Sequence, residues 1–434
     1  MLRHGARSLA FLGIALVSTA SAAAEATTLL DKYLARADKS FAWTLHESTK
    51  TDFGQAHRLT LVSQTWNKSP WRHQLLIVEP RRIDHDDQVL LYIGGGTNGR
   101  GVSTSDISRF GQYARYCGGR VAVLFQVPNQ PLLGGKHEDD LISETFLRHL
   151  KTRDPNWPLL FPMVKSAVRA MDAVQEVAQR EWKTKVTRFV VTGASKRGWT
   201  TWLTSAVDRR VVGLAPMVID TLNFPVQTRH QKKQWGKYSR QIADYTRKGL
   251  VRLIEQRPDL PLWKAVDPYH YRSRISQPKL IINGTNDPYW CVDALNNYWN
   301  DLAGPRYALY IPNAGHGLKG GHGQVVATLG LFFRSLAADR PLPRISWKHT
   351  DRPGGLQLTI TSDPQPVSAQ LWSARSETRD FRKSEFTATD MRRDGQKWVG
   401  EVTVRPGTHT VLYGHMLYQV GDVRYGFSTL VRVK

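Results

Sequence analysis

Short apolar, β-rich runs that break off at glycine or a polar loop, each followed by a helical segment, constrain the fold of this chain more than any other feature. Residues 88–93 (QVLLYI) stop at Gly94, Gly95 and Gly96, and residues 120–126 (RVAVLFQ) give way to a Pro-, Asn- and Gly-containing stretch. Residues 187–192 run straight into Gly193, and runs at 211–219, 278–283 and 306–311 complete the series. Runs that are apolar on both faces suit strands buried in a parallel sheet. Between them, residues 162–182 place Val164, Val168, Met171, Val174 and Val177 at the three-and-four spacing of an amphipathic helix. Further helices are expected at 107–116, 196–206 and 323–336. Strand and helix in alternation predict a mostly parallel sheet with helices on both faces. Two strands at 57–65 and 74–78 precede it.

The alternation is interrupted once. Residues 220–275 form polar, Trp- and Tyr-bearing helical segments too long for a simple crossover, and they read as a cap over the sheet's C-terminal edge. After Pro341 and Pro343 the helical pattern stops. Alternating runs at 356–360, 367–372, 398–404, 408–413 and 428–433, separated by Gly and Pro turns, predict a small β-sandwich. The expected organisation is a signal peptide over 1–24, an α/β domain over 25–340 with its cap at about 220–275, and a β-sandwich over 341–434. A chain of 434 residues is long enough for both cores.

The signal peptide follows from Arg3 and Arg7, an apolar run over 9–17, and the small residues Ser21, Ala22, Ala23 and Ala24. A periplasmic or secreted protein is expected. The apolar run is well short of the roughly 20 residues that cross a bilayer, and no later stretch reaches that length, so no transmembrane segment is expected. A formal net charge of +23 calls for anionic neighbours. Zinc-finger spacing, basic heptads and RNA-binding aromatic signatures are absent from the sequence, so nucleic acid is not expected as a partner. Anionic envelope components fit an export signal better, alongside a basic surface that serves solubility alone. The two cysteines, Cys117 and Cys291, fall at opposite edges of the predicted sheet. A strand of six residues spans about 20 Å, and a disulfide needs Cα atoms within roughly 7 Å, so both are expected as free thiols.

The segment FVVTGASKRGW (189–199) sets Ser195 between glycines at a strand-to-helix junction. A nucleophile needs that sharp turn, which lifts its hydroxyl clear of the sheet beside the positive end of the next helix. The common pattern is G-x-S-x-G; here the second glycine is Gly198, with Arg197 in its usual place. A serine that merely N-caps the helix is the competing explanation. Two later loops weigh against it. Asp287 leaves the strand 278–283, and His316 leaves the strand 306–311 within Asn-Ala-Gly-His-Gly. Ser, Asp, His is the chain order of the α/β-hydrolase fold, and all three loops belong to the same sheet edge. Ser195 is thus the expected nucleophile, His316 the general base and Asp287 its orienting acid. Oxyanion donors are expected from the backbone of Lys196 and from the glycine loop at Gly95 and Gly96. Arg197, Asn98, Glu138, Asp139, Tyr289 and Trp290 are candidates for substrate contact, Glu138 and Asp139 on the loop after the fourth strand. No cofactor and no metal is expected, since the His and acidic groups lack metal-site spacing. The expected substrate is a small molecule, a peptide or a polymer.

The strings VPNQPL (127–132), DPNWPLLFPMVKSAVRAMDAV (154–174), VTGASKRGWTTWL (191–203), APMVID (215–220) and NAGHGL (313–318) resemble the PhoPQ-activated pathogenicity-related protein family. The likeness runs from about Leu29 to the C-terminus. The resemblance implies an exported α/β-hydrolase-like protein of a Gram-negative envelope, linked to the regulatory system that answers low magnesium and cationic antimicrobial peptides. It implies no particular substrate. The G-x-S-x-x-G elbow is locally similar to that of glucuronoyl esterases. The functional expectation is a serine hydrolase acting on an ester or amide. Its alternatives are a prolyl-oligopeptidase-like peptidase and a non-catalytic envelope binding protein. Fewer than about 70 residues precede the glycine loop in the predicted mature chain, too few for the propeller such peptidases carry.

Overall fold

The computed structural model describes residues 27–434, so the predicted signal peptide lies outside the described residues. One mixed sheet organises the molecule. Its strands in chain order are β1 (Ala42–Thr51), β2 (Gly54–Trp66), β3 (Ser69–Pro80), β4 (Gln88–Ile93), β5 (Arg120–Leu124), β6 (Arg188–Ala194), β7 (Val211–Met217), β8 (Lys279–Gly284) and β9 (Arg306–Ile311). In space they run β1-β2-β3-β5-β4-β6-β7-β8-β9. The first three are antiparallel, β3 meets β5 antiparallel, and β5 through β9 are parallel. From β2 onward this is the order of the α/β-hydrolase fold, with β1 added outside it. Every residue of β4, β5 and β8 is buried, as runs that are apolar on both faces require.

The helices of the α/β layers are α1 (Leu29–Leu34), α2 (Thr104–Cys117), α3 (Glu138–Thr152), α4 (Leu160–Val177) and α5 (Lys196–Val207). α2 opens on a capping box, with Ser103 and Asp106 satisfying each other's backbone N–H groups, and closes on Gly118 in the left-handed region at φ 59°. Its last residue, Cys117, and Cys291 after β8 are both buried free thiols. The cap consists of α6 (Phe224–Trp235), α7 (Ala243–Arg247), α8 (Leu250–Gln256) and α9 (Pro261–Val266), with short 3₁₀ turns between and after them. Asp267 ties the ends of this insertion together, its carboxylate accepting from the backbone N–H groups of Asn223, Phe224 and Tyr269 at 2.8–3.2 Å. α10 (His322–Ala337) returns the chain across the sheet.

Three elements differ from the sequence expectation. β1 is an exposed edge strand and so lacks the apolar pattern that marks the others. Residues 138–152, expected to begin as a loop, form α3. Glu138, Asp139 and Asp140 occupy its first turn, where acidic side chains complement the exposed N–H groups and the helix dipole. The C-terminal strands are β10 (Arg344–Arg352), β11 (Gly355–Asp363), β12 (Ser368–Ser376), β13 (Thr387–Asp390), β14 (Arg392–Asp394), β15 (Lys397–Thr403), β16 (His409–Val420), β17 (Val423–Ser428) and β18 (Arg432–Val433). The stretch expected as one strand at 428–433 is broken: β17 already ends at Ser428, and β18 covers only Arg432–Val433, which pairs separately with β16.

These strands make two layers. β10-β11-β15-β14 form a separate antiparallel sheet, while β17-β16-β12-β13 continue the main sheet beyond β9. The join is narrow: Ser428 pairs with Ala308, and the Tyr310 N–H donates to Ser428 Oγ at 3.0 Å. Leu358, Ile360, Leu371, Met391, Leu412 and Met416 fill the space between the layers, all at most 4% exposed. The strand pairing within 344–434 is nearly self-contained, although its apolar side chains share one buried cluster with Leu309, Phe332 and Phe333, and the excised segment is expected to give a strand-rich circular dichroism spectrum. A coil spectrum would assign its folding to the larger sheet.

Candidate active site

The ladder register brings the candidate loops together. Ile93 pairs with Gly193, Ala194 with Met217, and Gly284 with Ile311. The parallel strands therefore end level, and the loops carrying Gly95, Ser195, Asp287 and His316 leave the same edge. Ligand sites of open α/β sheets form outside that edge.

Ser195 sits at φ 58° and ψ −125°, a conformation sparsely populated for any residue with a β-carbon. It is held there by its N–H donating to Met217 O at 2.9 Å and its carbonyl accepting from Trp199 N at 3.0 Å. Its hydroxyl makes no capping bond to α5, so the N-cap explanation does not account for it. The late glycine of the motif has a steric cause. A β-carbon on Gly198 would come within 2.9 Å of Gly193 O and 3.1 Å of Met217 O, and one on Gly193 within 2.8 Å of the Arg197 backbone. Gly198 is thus the residue that faces the strand ends, and Arg197 turns its side chain elsewhere.

That side chain is fixed on three sides. Its Nε donates to Val127 O at 2.5 Å, and its two terminal nitrogens grip both oxygens of Glu138 at 2.6 and 2.7 Å. The guanidinium lies against Gly95, where a β-carbon would approach it to 2.6 Å. Burial alone would push the Glu138 carboxyl up, but the Arg197 bonds and charge outweigh it and hold it at about 2. Glu138 also accepts from Gln130 at 2.7 Å. The pair therefore braces the glycine loop.

His316 Nδ1 lies 2.8 Å from Asp287 Oδ2, and since a carboxylate only accepts, the ring N–H is the donor. Asp287 is 4% exposed, and its other oxygen accepts from the Tyr289 N–H at 2.8 Å. The Tyr289 ring stacks on the imidazole at 4.2 Å between centroids. His316 Nε2 is buried with no hydrogen-bond partner among the described residues, so a bond to Ser195 is not closed here. Such bonds are often long before substrate arrives. Both loops are braced by the C-terminal region. Asn286 Nδ2 donates to Ser384 O at 2.8 Å, and Asn313 exchanges bonds of 2.7 and 2.9 Å with the backbone of Phe386.

Asp139 and Lys196 meet at the mouth of an apolar cavity of about 90 Å³ that also contains Ser195, Tyr289 and Trp290. Lys196 Nζ donates to Asp139 Oδ2 at 2.9 Å, and the Tyr245 hydroxyl donates to Oδ1 at 3.0 Å. Burial, reinforced by the Asp139 charge, pushes the Tyr245 hydroxyl well up. Asn98 is not brought into the cavity: it is exposed, and its side-chain amide donates to Asn129 Oδ1 at 3.4 Å. The cavity's cap residues, Tyr245 among them, escaped the sequence reading, although the apolar spacing of Leu250, Val251 and Ile254 marks one face of α8. A group of metal-capable donors also escaped it. His230 on α6, Cys291 and Asp293 have ligand atoms within 4.8 Å of one another, with His230 Nε2 already 2.7 Å from Asp293 Oδ1.

The family model for "PhoPQ-activated pathogenicity-related protein" matches residues 30–382. The chain belongs to that family. It is 31% identical over 378 residues to Autocrine proliferation repressor protein A of Dictyostelium discoideum, a match covering 82% of this chain and 76% of that one. Among solved structures it is similar to Acetyl Xylan Esterase 1 from a Thermoanaerobacterium species, at 15% identity and TM-score 0.47, covering 70% of this chain and 92% of that one. It is also similar to a glucuronoyl esterase from Solibacter usitatus, at 11% identity and TM-score 0.43, covering 71% and 91%.

Behind Asp287, Asp220 is 2% exposed and accepts from Tyr298 and Asn283 at 2.6 and 2.8 Å. Burial, aided by the Asp287 charge, outweighs those bonds and raises its carboxyl to about 7. A folded value above the unfolded one means the folded state binds the extra proton, so its contribution is full below about 4 and is lost as pH rises through 7. Asn stands in for the protonated carboxyl and does not titrate, so the stability of wild type relative to Asp220→Asn, from urea melts, should fall between pH 5 and pH 8. A difference that stays constant across this window, or shifts in favour of wild type, would show that Asp220 does not titrate in it.

Proposed function

We propose that this family member is an exported serine hydrolase that cleaves an ester or amide through an acyl-enzyme on Ser195. The observation that carries the proposal is the convergence at one sheet edge of a strained, uncapped serine and an imidazole engaged by a buried carboxylate on Nδ1 but free on Nε2. A serine hydroxyl is a weak nucleophile without a base. His316 Nε2 takes the hydroxyl proton as Oγ attacks the carbonyl carbon. Asp287 fixes the tautomer and stabilises the imidazolium. The tetrahedral intermediate collapses, expelling the alcohol or amine, which receives that proton from His316; water then repeats the sequence and frees the acid. The oxyanion is met by the backbone of Lys196, by the glycine loop at Gly95 and Gly96, and by the positive end of α5. Export rests on the signal sequence, and the +23 net charge supports work near anionic envelope components.

A second reading has its own support. The Dictyostelium relative is named for autocrine repression of proliferation, and the His316 base makes no bond to Ser195 here. In that reading the fold is a secreted binding protein. Fluorophosphonate labelling separates the two. The wild-type protein should label at Ser195, Ser195→Ala and His316→Ala should not, and Asp287→Ala should label roughly 10³–10⁴-fold more slowly. Folded wild-type protein that resists a probe small enough to enter the cavity supports the binding reading instead.

A further inference from the structure

We propose that the cavity under the cap is the acyl subsite of Ser195, and that it selects short acyl groups of about two to four carbons; this rests on the hydrolase reading above. Its walls are apolar, formed by Phe146, Ile219, Phe224, Leu250, Ile254 and Trp263, and the nucleophile lies among its lining residues. The polar side chains that reach it are largely engaged by protein. Gln227 Nε2 donates to Ala294 O and its Oε1 accepts from Asn297, both at 3.0 Å. Gln231 likewise joins Tyr289 O at 2.8 Å and the Ser239 N–H at 2.7 Å. Thr228 donates to Pro225 O at 3.2 Å, and Asp139 and Lys196 neutralise each other. Two buried indole N–H groups, on Trp263 and Trp290, lack partners among the described residues. Two neutral donors do not offset the cost of taking a carboxylate or a sugar ring out of water. An alkyl group needs no partner there.

Size sets the limit. A cavity of about 150 Å³ holds a benzene molecule, whereas this one is about 90 Å³. An acetyl to butyryl chain fits within it; most of an octanoyl chain has to lie outside these apolar walls. In the acylation step the Ser195 Oγ–carbonyl bond forms, the bond to the leaving alcohol breaks, and His316 delivers the serine proton to that alcohol. The acyl chain stays in the cavity until water releases it.

A series of p-nitrophenyl esters from acetate to dodecanoate tests this on the full mature chain. Wild type should favour butyrate or shorter over octanoate by roughly tenfold or more in kcat/KM, as steric exclusion from a fitted pocket commonly does. Ile254→Ala, which lengthens the cavity, should raise the octanoate-to-butyrate ratio by roughly tenfold. Leu250→Phe, which fills it, should lose butyrate before acetate; circular dichroism checks that both variants fold. An octanoate preference, or a length profile that neither variant moves, overturns the acyl subsite. If Ser195 labels with fluorophosphonate but no ester in the series turns over, the subsite fails and the hydrolase reading stands. If Ser195 does not label either, both fail.

Discussion

The candidate site depends on parallel strands that end at one level. Each parallel ladder fixes register along its length, and a one-residue slip would turn every side chain to the opposite face. Ile93 opposite Gly193 and Gly284 opposite Ile311 are consequences of that ladder, not of any interaction among the candidate catalytic groups. Once the register is set, a glycine loop, a serine, an aspartate and a histidine leave the sheet side by side. The strained Ser195 backbone is then supported from both neighbours: β7 takes its N–H, and α5 supplies the donor for its carbonyl. Removing either support would release the strain at the one residue where strain presents a hydroxyl.

The strand-to-helix alternation, the chain order of Ser195, Asp287 and His316, and the cap were legible because each is written locally. Buried parallel strands announce themselves as short apolar runs, and loops that carry reactive groups follow them directly. β1 was not legible, since an exposed edge strand has no apolar pattern to read. α3 was missed for a related reason: its opening turn is acidic, so Glu138 and Asp139 look like loop residues until the helix dipole gives them a place. The joining of β17 to β9 rests on a single residue pair and on Ser428, and no sequence period encodes so narrow a contact.

Arg197 shows what lies between those cases. The shifted motif glycine marked it as unusual, but its partner is 59 positions away and could not be named from spacing. The structure gives it a bracing role: with Glu138 it presses on Gly95, the loop that would supply an oxyanion donor. A bidentate, largely buried pair is costly to break from one side, because the remaining charge is left without a partner. Removing one of the two residues is therefore expected to cost more than removing both. The same holds for Lys196 and Asp139, which lock α5 to α3 directly beside Ser195.

The Asn286 and Asn313 contacts make the C-terminal region part of the site although it contributes no reactive group. The two side chains reach from the Asp287 and His316 loops into the backbone of 381–386, outside any strand. Loops at a sheet edge are otherwise free to move on the side facing solvent. Fixing the Asp287 and His316 loops to the same short segment couples them to each other, so the 2.8 Å bond between the two side chains is held from outside as well as from within. The cap does the corresponding work on the other side, where Tyr245 reaches Asp139 and Gln231 holds the carbonyl of Tyr289. Ser195 thus stands between a cap that shapes the cavity and a β-layer that steadies the His316 loop. Through Gln231 a movement of the cap would reach Tyr289, whose N–H donates to Asp287 and whose ring stacks on His316, so the element that shapes the cavity is also coupled to the Asp287–His316 pair.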